Sequence, residues 1–530
     1  LDSTAPIRSR AAEEGNFQIP LWGVPLIFLI LYVCLFSGLG AIGLVGPDEP
    51  RYAAIARAMA ETHDWITPRL WGTPWFEKPV LYYWVAGIAM RLFGASEFAA
   101  RLPSALAALL AVVAVAWTAL RTYGVGAAWY SLLMLPTSVA MIGFSRAASP
   151  DMLFAGLLTA AMAVAMEMLC APRPGPVLRV AFGFFLGAAV LAKGPAAVIL
   201  AGGATLLWAA LAREWRAALL FLHPLIVAVF SAIALPWYVL CALDNPDFLR
   251  VFIWQHNFER YLTPVFQHRQ PFYYYGYILL LAAVPWVIFL FTAALDRLSR
   301  LKNKIKLNSA DAFFASWALI PILFFSVSQS KLPGYILPAI PPLFLLLSRW
   351  VSRSISMKTA GVLRALGWTG VLVMLTGILL SADLMERVVK GFPHGHSSSG
   401  LVFLPIGIGV VLFVGKSRPR EAFFLLVWFV IAAVEFASFT ILPQLDGQIS
   451  ARQLAGSILR SDSTGGNVAL YELPRSWQYG MNFYMNRDLP EWVPGSGEPD
   501  WILANRGLAL GSRYEAGRDE SGTFFVYRRK

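Results

Sequence analysis

A multi-spanning helical membrane protein that ends in a small α/β unit is the fold class this sequence predicts, on three observations. Hydrophobic residues make up 58% of the 530-residue chain and charged residues only 14%, against roughly a quarter charged in soluble domains. Mean hydropathy is +0.60. Apolar runs near the roughly 20 residues needed to cross a bilayer recur up to about residue 440. Beyond Gln444 the runs shorten and turn residues separate them.

The first run, Leu21 to Val45, is too long for the hydrophobic region of a cleaved signal peptide and lacks a small-residue cleavage site, so it reads as a signal anchor. Thirteen spans are predicted, at 20–43, 101–120, 125–144, 151–169, 177–192, 195–212, 217–240, 272–295, 311–328, 333–350, 362–382, 400–415 and 421–440. Val80 to Phe93 is short and interrupted by Arg91, and the placement of basic residues decides its position. If it lies on the membrane surface, Arg8, Arg121, Arg213, Arg297 to Lys306, Arg349 to Lys358 and Lys416 to Arg420 all fall on one side, as the positive-inside rule requires. If it crosses, the LSRLKNKIK cluster is turned outward. The predicted topology therefore has the N-terminus inside and the C-terminus outside.

The outer side then receives a long first loop (46–97), a fourth loop (241–272), the turns at Asp151, Lys193 and Lys331, and the tail. Within the first loop, Arg51 to Glu61 and Val80 to Phe93 read as amphipathic helices lying at the interface. A membrane domain (1–440) precedes a C-terminal domain (441–530), in which a helix is expected at Gly447 to Arg460. NVALYEL, NFYMN, WILANRG and TFFVYRRK read as strand-length runs.

The net charge of +12 is distributed over short inter-span segments rather than one soluble surface, which argues against a nucleic-acid partner. Cys34, Cys170 and Cys241 are isolated and form neither a metal motif nor a disulfide framework.

Chemistry-bearing residues gather on the outer side. In GPDEPRYAAIARAM, Asp48, Glu49 and Arg51 follow the first span directly; Asp48 is also suitably placed to cap a helix. HDWITPRLWGTPWFEKPVLYYW adds Glu77, Lys78, Tyr82 and Tyr83 among aromatics. Asp151 opens a span behind Ser149-Pro150, with Arg146 nearby as an anion-holding candidate. Lys193 sits in an AKGP turn, and SKLPGY carries Lys331 and Tyr335. The fourth loop contributes His256, Arg260, His268 and Arg269, while HGH at 394–396 reads as a solvated loop. The spacing of Glu77 and His256 forms no zinc motif. Carboxylates and cations around a crevice at membrane level suit glycosyl transfer from a lipid-linked phosphosugar. Positive charge develops on the sugar and negative charge on the departing phosphate.

GPDEPRYAAIAR, HDWITPRLWGTPWFEKPVLYYW and GASEFAARLPSAL, continued by Asp151, Ala192-Lys193-Gly194 and Ser330 to Tyr335 over about the first 350 residues, resemble the GT-C class of bacterial membrane glycosyltransferases. Within that class the sequence is similar to the lipid A aminoarabinose transferase (ArnT-like) branch. The resemblance implies a GT-C fold and an inverting transfer of 4-amino-4-deoxy-L-arabinose from undecaprenyl phosphate to a lipid A phosphate, on the periplasmic side of the inner membrane. Resistance to polymyxin and other cationic antimicrobial peptides would follow. It also implies catalytic roles for Asp48, Asp151, Glu77 and Lys78, and substrate contacts from Arg51, Tyr52, Tyr82, Tyr83, Lys193, Arg260, Lys331 and Tyr335. Members of the class that hold a divalent metal near this cavity make Glu77 and His256 the residues expected to bind zinc or magnesium. No nucleotide cofactor is expected. The expected partners are the lipid-linked donor, lipid A and membrane lipids, around a monomer. Two alternatives stand beside this reading: a transferase with a protein hydroxyl acceptor, and a lipid-linked sugar transporter. The transporter is disfavoured because no repeated halves are seen.

Overall fold

The structure, a computed structural model, describes residues 17–262, 270–302, 308–381, 403–461, 466–519 and 522–530. His268, Arg269 and the HGH segment lie outside the described residues, as does the side chain of Arg260.

Every predicted span coincides with a helix or a helix pair, but the number able to cross a membrane differs. Among the described residues eight helices are long and apolar enough, or ten if two bent pairs each count as one span. The other predicted spans coincide with shorter apolar helices, Gly23–Phe36, Ala196–Ala212 and Phe403–Gly415. By length and composition, eight to ten spans are supported among the described residues, and local backbone chemistry explains where individual helices stop short of their expected bounds. The first span stops at Phe36, because Ser37 turns extended and Gly38 follows with a φ of +73°. The span expected to begin at residue 217 starts at Pro224, where the imidazole of His223 caps the helix by accepting the Leu225 N–H at 3.1 Å. The expected 125–144 and 272–295 spans are broken, with bends of 58° and 116°.

Burial separates central helices from peripheral ones. The most apolar window of Pro150–Cys170 is 89% buried, whereas that of Pro224–Asp244 is 22% buried and presents Leu235, Val239 and Leu243 outward. Such an apolar exterior suits a lipid solvent. The three cysteines carry no disulfide, and Cys34 and Cys241 are buried.

The helices sort the loops into two ends. At one end Arg121, closing the Glu97–Tyr123 helix, pairs with Glu167 at 2.6 Å, and Asp311 receives Tyr123 and Arg349. The opposite end carries the first loop, the starts of Glu97–Tyr123 and Pro150–Cys170, and the C-terminal unit. There the first loop forms the helices Asp48–Thr62 and Leu81–Phe93 and a short hairpin, β1 (Arg69–Leu70) and β2 (Thr73–Pro74). Leu81–Phe93 buries Tyr82, Tyr83, Ala86 and Met90 and exposes Ile88, Leu92 and Phe93, the two-faced pattern expected of a surface helix.

The C-terminal unit is α/β, with strands β3 (Val468–Tyr471), β4 (Trp501–Ala504), β5 (Tyr514–Arg518) and β6 (Phe525–Arg529). The order is β3-β4-β6-β5, with β3 and β4 parallel and the other pairs antiparallel. Two local expectations are corrected. NFYMN belongs to a helix, Arg475–Met485, because Trp477 and Met481 recur at helical spacing and are buried in the core with Leu454, Ile458 and Leu503. The helix expected at Gly447–Arg460 is two helices, Leu442–Ile449 and Arg452–Ser461, separated where Ser450 turns extended and bridges to Val45.

Candidate active site

Asp48 is the first residue of its helix, and Pro47 is the N-cap. The capping alternative does not hold, since no side chain bonds the free N–H groups there. The Asp48 carboxylate instead takes Arg51, one turn on, at 2.5 Å. Arg51 also meets Glu77 at 3.0 Å, and Glu77 lies 3.8 Å from Lys78. The Arg51 guanidinium stands over the rings of Tyr52 and Trp75, at 5.1 and 5.5 Å. Tyr52, Tyr82 and Tyr83 wall the group, with ring centroids about 6 Å apart and all three side chains buried. The Tyr82 hydroxyl donates to the Ala100 carbonyl at 2.8 Å. The Arg51 Nε and the Tyr83 hydroxyl are buried with no hydrogen-bond partner among the described residues.

A second cluster stands beside the first. Lys193 donates to Asp151 at 2.5 Å and lies 4.5 Å from the centre of the Tyr335 ring. Gly334 fits against this pair because it lacks a side chain, as a Cβ there would meet Asp151 Oδ2 at 2.5 Å. Asp151 is no cap either, since the Ser149 hydroxyl caps that helix.

The two clusters share one electrostatic neighbourhood. Partial desolvation pushes the Asp48 carboxyl above its ordinary value, Arg51 opposes the rise, and the charges of Glu77 and Asp151 add to it. Yet the side chain is 52% exposed. Both facts fit a carboxylate reachable by solvent on one side and walled by protein on the other. Burial also pushes the Tyr52 phenol well up, so it stays a neutral hydrogen-bonding group.

Glu77 turns from the first cluster into a cavity of about 510 Å³, lined also by Trp75, Asp244, Asp247, Arg250 and His256. Glu77 and His256 thus face one space, but among the described residues no three His, Cys, Asp or Glu side chains gather into a ligand set. Lys331 is spent locally, donating to the carbonyls of Ser328 at 2.6 Å and Gln270 at 3.1 Å, and burial lowers its pKa.

Three residues have roles that sequence reasoning missed. Glu49, adjacent to Asp48, is buried and structural, accepting the N–H groups of Val45 and Ala148 at 2.7 and 2.6 Å and pairing with Arg101 at 2.7 Å. Arg101 further donates to the carbonyls of Leu39, Ile42 and Gly43. The only signal for it was an arginine near the start of an apolar helix. Arg146 holds no anion in this arrangement, because its guanidinium is committed to the carbonyls of Val33, Cys34, Ser37 and Ile142.

The resulting site has three carboxylates, Asp48, Glu77 and Asp151, and three cations, Arg51, Lys78 and Lys193, in two clusters at one end of an apolar bundle, with Glu77 also lining an open cavity. Such a site can bind a phosphate, stabilise a developing positive charge and exclude much of the bulk solvent.

The chain is similar to known proteins over most of its length. Residues 21–252 match the family model for dolichyl-phosphate-mannose-protein mannosyltransferase. The undecaprenyl phosphate-alpha-4-amino-4-deoxy-L-arabinose arabinosyl transferase of Edwardsiella ictaluri is 33% identical over 396 residues, 74% of this chain and 70% of that protein. A second transferase of that name, from Sodalis glossinidius, is 29% identical over 497 residues, 84% of this chain and 86% of that one. The crystal structure of ArnT from Cupriavidus metallidurans bound to undecaprenyl phosphate superposes with a TM-score of 0.74 at 23% identity, covering 96% of this chain and 98% of that one, and so shares the fold. The chain belongs to the family of undecaprenyl phosphate-alpha-4-amino-4-deoxy-L-arabinose arabinosyl transferases.

Proposed function

We propose that this enzyme transfers 4-amino-4-deoxy-L-arabinose from undecaprenyl phosphate to a phosphate of lipid A, at the periplasmic face of the bacterial inner membrane, and thereby confers resistance to polymyxin and other cationic antimicrobial peptides. The observation that carries the reading is the pairing of Asp48 and Asp151 with Arg51 and Lys193 in one electrostatic neighbourhood at a single end of the bundle.

An acceptor phosphate oxygen attacks the anomeric carbon, the bond from that carbon to the undecaprenyl phosphate oxygen breaks, and the configuration inverts. The acceptor is already ionised near neutral pH, so no strong base is needed. Asp48 orients the acceptor or the sugar amine and stabilises positive charge on the sugar ring. Arg51, Lys78 and Lys193 take up the negative charge of the departing phosphate, with Asp151 fixing the lysine. Tyr52, Tyr82 and Tyr335 give the sugar apolar walls. A zinc or magnesium ion would find two protein ligands in Glu77 and His256, leaving coordination positions to water or phosphate; bound there it would add positive charge for the leaving phosphate. No step above depends on it. The enzyme works as a monomer.

The test supplies purified protein with labelled aminoarabinosyl undecaprenyl phosphate and lipid A. Labelled lipid A is expected; a folded enzyme that yields none, or that labels a protein hydroxyl instead, overturns the reading.

A further inference from the structure

The loop from Leu39 to Gly46 delivers Asp48, and it is gripped from both sides. From the membrane bundle, Arg101 takes the carbonyls of Leu39, Ile42 and Gly43. From the C-terminal side, Arg452 takes the carbonyls of Gly40 and Ala41 at 3.1 and 3.0 Å. Asp446 accepts the Gly43 N–H at 2.7 Å and is itself held by Ser450 and Arg452. The Tyr484 hydroxyl accepts the Leu44 N–H at 2.8 Å and donates to Glu97 at 2.9 Å, while Val45 bridges to Ser450.

Three consecutive residues just ahead of the acid are therefore fixed by chain about 400 residues away. The fit is close: a Cβ on Gly43 would meet Ser450 Oγ at 2.4 Å and the Tyr484 hydroxyl at 2.8 Å. The same unit grips the acid's helix further along, where Arg57 donates to the Phe483 carbonyl at 2.8 Å and stands 4.2 Å from the centre of that ring.

We infer that the C-terminal unit is a positioning device for the reaction: Tyr484, Asp446 and Arg452 set where Asp48 stands relative to the anomeric carbon. The inference rests on the transfer reading above. None of the three touches the reacting atoms in this account. Their effect runs through the backbone of Gly43 to Val45, and displacements near 1 Å at a reacting group cost rate rather than binding.

The experiment uses the full-length protein with Tyr484→Phe, which removes one hydroxyl, and Gly43→Ala, which crowds the same contact from the loop side. Donor kinetics and amide exchange are read together. Expected are a kcat lower by about 10- to 100-fold, a KM for the lipid-linked donor within about two-fold, faster exchange at Gly43 to Val45, and unchanged exchange at the end holding Asp311. Wild-type kcat in both variants overturns the inference, as does a loss that only tracks the amount of folded protein, which would make the contacts structural. If wild-type enzyme transfers no sugar, the transfer reading fails, while faster exchange at Gly43 to Val45 in the variants still establishes the clamp itself.

Discussion

The two ends of the bundle both bury carboxylate–guanidinium pairs, but they leave them in different states. At the far end Asp311 accepts the Tyr123 hydroxyl at 2.6 Å and the Arg349 guanidinium, which also covers the Tyr123 ring at 4.6 Å. That cluster is largely buried and ties three helices together. At the site end Asp48 is half exposed and Arg51 keeps an Nε without a partner among the described residues. Satisfied, buried charge holds a fold, whereas a carboxylate left half exposed is open to a ligand. The contrast recurs between neighbours, since Glu49 is saturated by Arg101 and two N–H groups while Asp48 is half exposed.

Four substitutions can break or sharpen this comparison. The largest effect is expected at a saturated pair: Arg101→Met leaves Glu49 buried without its cation and should cost about 3–5 kcal/mol, seen as loss of folded protein from detergent extracts. Retention of full thermal stability would show that this pair is not structural.

Asp48→Asn should instead lower sugar transfer by about 10²- to 10³-fold with normal protein level. Because the Asp48 carboxyl is raised, the acid limb of kcat against pH in wild type should lie above the ordinary Asp value of 3.8. The sign for stability is opposite to that of a salt-bridged acid. The folded state favours the protonated form, so this group's contribution is present below its unfolded pKa and is lost as pH rises through the folded one. The Asn variant avoids that loss and should melt no lower than wild type at neutral pH.

Lys193→Met should slow transfer by about 10- to 100-fold, measured with saturating donor. An unchanged rate would remove Lys193 from the phosphate-stabilising set and leave it only a partner of Asp151. The smallest effect is expected for Arg121→Ala at the far end, whose side chain is 58% exposed in its pair with Glu167. A stability change under about 1 kcal/mol and unaltered transfer should follow.

Much of this division was legible in the sequence. Hydropathy placed the helices, and the basic segments sorted the loops so that Arg121 and Arg349 share one end while Asp48, Asp151 and Lys193 share the other. The motifs from Asp48 to Tyr335 picked out residues that the fold gathers into two adjoining clusters. Less legible was the length of individual spans, because breaks such as those at Gly38 and His223 depend on backbone conformation that hydropathy does not see. NFYMN read as a strand because five residues are too few to separate the two periodicities; burial of Trp477 and Met481 against the sheet settled it.

By itself the sequence determined a lipid-embedded helical bundle and its two-sided charge distribution, since these depend on composition and local pattern, and its motifs carried the resemblance to a family of membrane glycosyltransferases. Only the tertiary structure decided that Asp48 is open while Glu49 is sealed, that Arg101 and Arg146 serve backbone carbonyls, and that the C-terminal unit grips the loop ahead of Asp48. Those outcomes depend on hydrogen bonds between residues up to about 440 positions apart, and the folded chain alone brings such partners within reach.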